Sequence, residues 1–183
     1  GHSLSLITLK SELAGRMLPA HPEKAAQQVA DIEQVSRQAL VDVREAVTGY
    51  RRPRLAAELA GAQVALTAAG VTAALPTDPD LTGIPEESES ALAWSLREAV
   101  TNVVRHSGAT RCTIELLRRQ TLDGPVLELA VEDNGSGGPG DGPGNGLTGL
   151  TERLEKTGGT LEAARVKHGF RLVARVPVNA SAP

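Results

Sequence analysis

Four polar side chains fall together in the run Arg97-Glu-Ala-Val-Thr-Asn-Val-Val-Arg-His106. Glu98, Asn102 and Arg105 are spaced i, i+4 and i+7. On a helix that spacing puts a carboxylate, a carboxamide and a guanidinium on one face, with His106 on the adjoining flank. A carboxamide oxygen is a suitable hard ligand for Mg²⁺, which keeps several waters and takes other ligands from substrate phosphates. Arg105 and His106 could meet phosphate oxygens directly. A solvated helix face would show the same row, so the row alone decides nothing.

The second stretch with chemical content is Asp133 to Leu150, DNGSGGPGDGPGNGLTGL, which holds eight of the chain's 19 glycines. Glycine permits positive φ and the close approach of another group. A Gly-rich loop that feeds a helix offers unpaired N–H groups and the positive end of the helix dipole, a natural place for phosphate. Asp133, at the start, can accept hydrogen bonds from a base or a ribose. A flexible solvated loop with no ligand is the plainer alternative.

These stretches need elements to carry them. Leu4 to Leu18 reads as a helix, with Leu6, Leu9, Leu13 and Met17 as its stripe. Proline at 19 and 22 breaks it, and a second helix is expected from about Pro22 to Val47. Val29, Ile32, Ser36, Ala39, Val43 and Ala46 repeat at alternating three and four, a heptad seam. A hairpin of two such helices covers half its apolar stripe. A second copy, giving a four-helix bundle, is the expected cover, and the rest of the same chain is the alternative. Gly49 to Pro53 marks a boundary. Beyond it the pattern gives a helix over 55–69, a short strand over 71–75 and a long helix over 85–106. Strands are expected over 110–117 and 126–131. The glycine loop and its helix over 147–156 come next, then a hairpin of strands over 160–166 and 170–176. Strands joined mostly as hairpins, with helices on one face, make an α+β two-layer sandwich.

Composition bounds the rest. The chain has 183 residues, 40% hydrophobic but only 2% aromatic, so the core must be aliphatic. A net charge of −3 argues against nucleic acid as the main partner. One cysteine, Cys112, excludes an internal disulfide framework and a cysteine-cluster zinc site. No apolar run approaches the roughly eighteen residues of a membrane span. No membrane contact is expected, and the segment reads as cytoplasmic.

Taken together, the helix row and the glycine loop resemble the sensor histidine kinases of two-component systems, within the ATP-binding superfamily that also holds gyrase and MutL. Glu98-Ala-Val-Thr-Asn102 resembles that family's N box, Asp133-Asn-Gly135-Ser-Gly137 its first glycine box, and Gly144-Asn-Gly146-Leu147-Thr-Gly149-Leu150 its second. His168 to Leu172 resembles the closing strand. Arg105-His106-Ser-Gly-Ala after the N box, with no phenylalanine-bearing box in the lid, resembles the NarL/DesK-like subgroup. The resemblance implies Mg-ATP as the nucleotide and Asp133 as acceptor of the adenine amino group. It implies that Gly135 and Gly137 keep the base pocket clear and that Asn102 holds Mg²⁺ with Glu98 beside it. It further implies a lid over 138–146 and phosphate-binding amides near Gly146 to Gly149. Residues 1–50 would be the dimerisation and histidine-phosphotransfer hairpin and 54–179 the catalytic ATP-binding domain, with a response-regulator receiver domain as partner.

The first helix departs from the family. The subgroup pattern is His-Asp-x-x-Gly-His-x-Leu, and Gly1-His2-Ser3-Leu4 matches its second half. By that register the phosphoacceptor histidine and its aspartate fall before Gly1, His2 is not the acceptor, and this chain is expected to bind nucleotide without phosphorylating itself. A serine kinase of the anti-sigma type and a non-catalytic nucleotide-binding or dimerisation module are the alternatives. The heptad hairpin speaks against the serine kinase.

Overall fold

A core helix needs an apolar stripe and a stop. Leu55, Leu59, Ala62 and Leu66 supply the stripe, recurring at four, three and four, and all are buried in α3 (Leu55–Ala68). Gly70, at φ 74°, supplies the stop: its amide bonds to Thr67 O at 3.0 Å and the Val71 amide to Leu66 O at 2.9 Å. That paired closure satisfies the last carbonyls of the helix and requires a left-handed residue at the glycine. At the other end, Glu89 of the following helix, α4 (Glu86–Asn102), accepts a hydrogen bond from the Leu55 amide at 3.1 Å, so α4 caps α3.

The computed structural model describes residues 2–47, 52–137 and 145–179, and the chain divides into two compact units, 1–51 and 52–183. In the first, α1 (His2–Met17) and α2 (Pro22–Val47) form a hairpin through the predicted proline turn. An ion pair from Lys10 to Asp31, 2.8 Å long, ties the two helices. Leu6, Leu13 and Met17 are half-buried as their stripe predicts, but Leu9 is 53% exposed. The α2 seam is divided in the same way. Ile32, Ser36 and Ala39 are half-covered, while Val29, Val43 and Ala46 face out.

The second unit is a two-layer sandwich, as its pattern implies. Its five-stranded sheet runs β1-β2-β3-β5-β4, with β1 (Thr72–Ala74) parallel to β2 (Arg111–Thr121) and the other pairs antiparallel. β3 (Gly124–Asp133) is central, with β5 (Gly169–Pro177) beside it and β4 (Thr160–Val166) at the edge. Alternation sends one set of side chains to the helices. Ile114, Val131 and Leu172 stand in register across three strands, as do Leu116, Leu129 and Ala174. They meet α3, α4 (Glu86–Asn102) and α5 (Asn145–Glu155) in one aliphatic core.

The opposite face of the sheet carries a charge ladder. Glu128 is nearly fully buried and accepts hydrogen bonds from Arg175 Nε at 2.7 Å and Arg119 Nε at 3.1 Å. Burial works against its negative charge, but the bonds from Arg175 and Arg119 outweigh it and hold its pKa below the ordinary value. The ladder makes β2 and β3 longer than their apolar runs suggest. Arg118 to Thr121 and Gly124-Pro125 lack strand composition but pair in register, Arg119 with Val126 and Thr121 with Gly124.

Candidate functional site

α4 is the beam of the site. From Ser88 to Leu96 it is buried on every side, which fixes it as the central helix of its layer. The α geometry ends at Asn102, and Val103–Ser107 continue as a π turn closed by Gly108 in the left-handed region at φ 63°. Ser107 braces the turn: its hydroxyl donates to Val103 O at 2.7 Å and accepts the Ala109 amide at 3.0 Å. The expected helix through residue 106 is therefore corrected. So is the expected single row, because i→i+5 bonding adds a residue to the turn and rotates Arg105 off the line from Glu98 to Asn102. Glu98 and Asn102 are half-buried, while Arg105 and His106 are exposed on the widened turn. The Asn102 side chain makes no capping bond to the turn that follows.

β3 delivers Asp133 to the same end of the sandwich. It stands between Cys112 of β2 and Phe170 of β5, buried, and its carboxylate accepts the Gly135 amide at 2.8 Å. Burial pushes its pKa up. The Gly135 bond and the charge of Arg165 pull down, Glu132 pushes up further, and the net shift is upward. Burial likewise raises the neighbouring Cys112 thiol to about 12, with help from Asp133, so it is inert packing at neutral pH.

Asn134, the next residue, fixes the exit from the sheet. Its Oδ1 accepts the Thr110 and Arg111 amides, both at 2.9 Å, and its Nδ2 donates to Thr110 Oγ1 at 3.0 Å. Gly135 then passes so close to Ser107 that a Cβ would fall inside contact distance of that residue's carbonyl. The Gly137 amide, at φ 73°, donates to Ser107 O at 3.1 Å. The first glycine segment thus docks on the end of the π turn, and this joins the helix row to Asp133. Gly169, at the start of β5, is held to glycine by the Asp133 carbonyl in the same manner.

The second glycine segment is described from Asn145 onward, and Gly144 and the rest of 138–144 lie outside the described residues. Gly146 and Leu147 stand in the first turn of α5, where amides have no partner within the helix. Leu147 packs partly on the core, Leu154 is buried in it, and Leu150 is buried as well. Gly149 faces open space, where an added Cβ would meet nothing within 4 Å.

Among the described residues no group of three or more His, Cys, Asp and Glu side chains gathers as a metal cage. Asn102 and Glu98 could hold a cation together with a ligand's own oxygens. That donor set suits Mg²⁺, which is usually held by one or two protein groups plus phosphates and water. Ser107, Asn134 and Gly169 were not foreseen in these positioning roles. The signal for Asn134 was its place in Asp-Asn-Gly, a triplet that favours side-chain-closed turns. Ser107 carried no comparable signal.

Comparison with known proteins sets this geometry in a family. Residues 1–56 match the family described as histidine kinase. Sensor histidine kinase YvfT of Bacillus subtilis is 37% identical over 155 residues, covering 84% of this chain and 41% of that protein. Sensor histidine kinase DesK of the same organism is 34% identical over 182 residues, covering 98% of this chain and 48% of that protein. The chain therefore spans less than half the length of these curated relatives. The crystal structure of the ATP binding domain of PrrB from Mycobacterium tuberculosis shares the fold, with a TM-score of 0.50 at 24% identity over 69% of this chain and 96% of that one. On its relatives and its N-terminal family match, the chain belongs to the sensor histidine kinases, in the NarL/DesK-like subgroup.

Proposed function

We propose that this chain is the kinase core of a two-component sensor and binds Mg-ATP at the end of α4. In this reading the bound phosphoryl passes to a histidine and then to an aspartate on a response-regulator receiver domain. The observation that carries it is the docking of the Asp133–Gly137 segment on Ser107, which brings a buried carboxylate beside the helix that bears Asn102 and Glu98. Residues 54–179 would be the catalytic ATP-binding domain and residues 1–50 the dimerisation and phosphotransfer hairpin. The segment would work in the cytoplasm. Among its described residues no helix is long and apolar enough to cross a membrane.

The chemistry asked of the nucleotide unit is positioning and charge neutralisation. Asp133 would accept the adenine 6-amino group, which guanine lacks. Asn102 would hold Mg²⁺ by its carboxamide oxygen, and Glu98 would order the metal-bound water. The cation, when bound, neutralises charge on the phosphates. The first-turn amides near Gly146 to Gly149 would meet phosphate oxygens at the positive end of α5. Arg105 and His106, exposed on the π turn, would reach the same oxygens from α4.

Calorimetry of ADP binding with and without Mg²⁺ tests the reading. Asn102→Ala is expected to cost about tenfold in ADP affinity with Mg²⁺, about 1.4 kcal/mol, and nearly nothing without it. Equal losses in both conditions would remove the metal role. No ADP binding by the unaltered chain would remove the nucleotide reading itself.

A further inference from the structure

Trp94 is the one tryptophan of the chain, it lies on α4, and it is nine-tenths buried. Its indole N–H is buried without a hydrogen-bond partner among the described residues. A buried tryptophan usually satisfies that N–H, so this ring is held in another way. Two cations lie over it: the Arg97 guanidinium 4.7 Å from the ring centroid and the Arg153 guanidinium 4.9 Å from it. Each is attracted by the ring quadrupole. Arg97 is also paired with Glu58 of α3, which offsets the repulsion between the two guanidiniums. Arg153 is different, because it stands in the last turn of α5, the helix whose first turn follows the glycine segment. The ring therefore connects α4 to α5.

The spacing gives that connection a consequence. Trp94 precedes Asn102 by eight residues (94 to 102), and Arg153 follows Asn145 by eight (145 to 153). Both spans are about 12 Å of helix. With α5 packed against α4 and its Leu150 and Leu154 buried, a clasp at Arg153 would set the height of the α5 N-terminus against Asn102. We propose that Trp94 is a positioning residue for the nucleotide phosphates, holding α5 through Arg153 so that its first-turn amides stand level with Asn102. The inference rests on the nucleotide-binding reading given above and adds to it a determinant remote from the ligand.

The test uses the full chain and the variants Arg153→Met, Trp94→Phe and Trp94→Leu. ADP is measured by calorimetry, adenosine by competition, and Trp94 emission during ADP titration. Arg153 is half-exposed, so Arg153→Met should fold, and it removes the charge while keeping the stem. Expected is a loss of about fivefold in ADP affinity for Arg153→Met and Trp94→Leu, with adenosine unchanged. Trp94→Phe, which keeps an aromatic face, should stay within about twofold. ADP should shift Trp94 emission in the parent and not in Arg153→Met. Equal losses for ADP and adenosine would show a general structural role and overturn the proposal, as would unchanged ADP affinity in Arg153→Met. A parent that binds neither ligand would overturn the nucleotide reading and this proposal together, whereas the other two failures leave that reading intact.

Discussion

Asp133→Asn should weaken ADP binding by roughly ten- to a hundredfold, in line with about 1–3 kcal/mol for a misplaced buried polar group. It should also raise the thermal midpoint of the nucleotide-free protein at neutral pH. The two effects have one origin. Asp133 is a buried carboxyl whose pKa is raised, chiefly by burial. A carboxyl with a folded-state pKa above its unfolded one binds its proton more tightly in the folded protein. Its contribution to stability is therefore greatest at low pH and falls as pH rises through that window. At neutral pH the ionised group weakens the fold, and a ligand donor would be what offsets that cost. An asparagine keeps an oxygen for the Gly135 amide and carries no charge to bury, but it presents an NH₂ where the adenine amino group must donate. Glu128 works in the opposite sense, since its pKa is lowered despite burial by the bonds from Arg175 and Arg119. Its stabilisation is present above the ordinary carboxylate range and is lost as pH falls through the lowered value. The gain in midpoint from Asp133→Asn should thus shrink toward acid pH, a trend that Glu128, unchanged in the variant, does not distort. Unchanged ADP affinity would sink the base-recognition role. A lowered midpoint at neutral pH would show that the carboxylate supports the fold.

The parts of this site that were legible in the sequence are those that depend on local chain chemistry. The periodicity of α4 and α5, the strand alternation of β3, and the glycines between them follow from backbone preference and from which face is apolar. They were enough to place Asn102 on a helix, whereas Asp133 and Gly146, expected in the glycine loop, belong to the end of β3 and the first turn of α5. What was not legible depends on partners distant in sequence. The π turn at Val103–Ser107 is held by the Ser107 hydroxyl and by the glycine loop that docks on it from residues 135 and 137. Nothing within 103–107 announces that, so α geometry was extended through His106. Asn134 bonds to residues 23 and 24 positions earlier, and Trp94 meets Arg153 across two helices. The full lengths of β2 and β3 were hidden because their outer ends are charged. Arg118 to Thr121 resemble loop residues until the ladder of Arg119 with Glu128 and Arg175 is seen.

The remaining large effect concerns residues 2–47. By itself the hairpin has almost no core. Among the described residues α1 buries none, and only Ala25 of the buried apolar residues belongs to this unit. Meanwhile Leu4, Leu18, Leu40 and Val43 remain more than half exposed, with Val43 at 57%. Helices of this length gain most of their stability from packing an apolar face, and isolated ones are marginal in water. Each Leu or Val carries about 1.5–3 kcal/mol when fully buried, so several of them in each of two copies are enough to drive association. A second copy is the expected cover, because the exposed positions include Val29, Val43 and Ala46 of the heptad seam. The chain is accordingly expected to be a dimer at micromolar concentration by light scattering. Val43→Glu should yield monomers and a loss of helical signal from this unit. Glutamate is a good helix former, so the substitution does not act through helix propensity. It acts by placing a charge where apolar surface must be dehydrated. A parent chain that is monomeric at that concentration would end the dimer reading, and a Val43→Glu variant that dimerises as tightly as the parent would move the interface away from this seam.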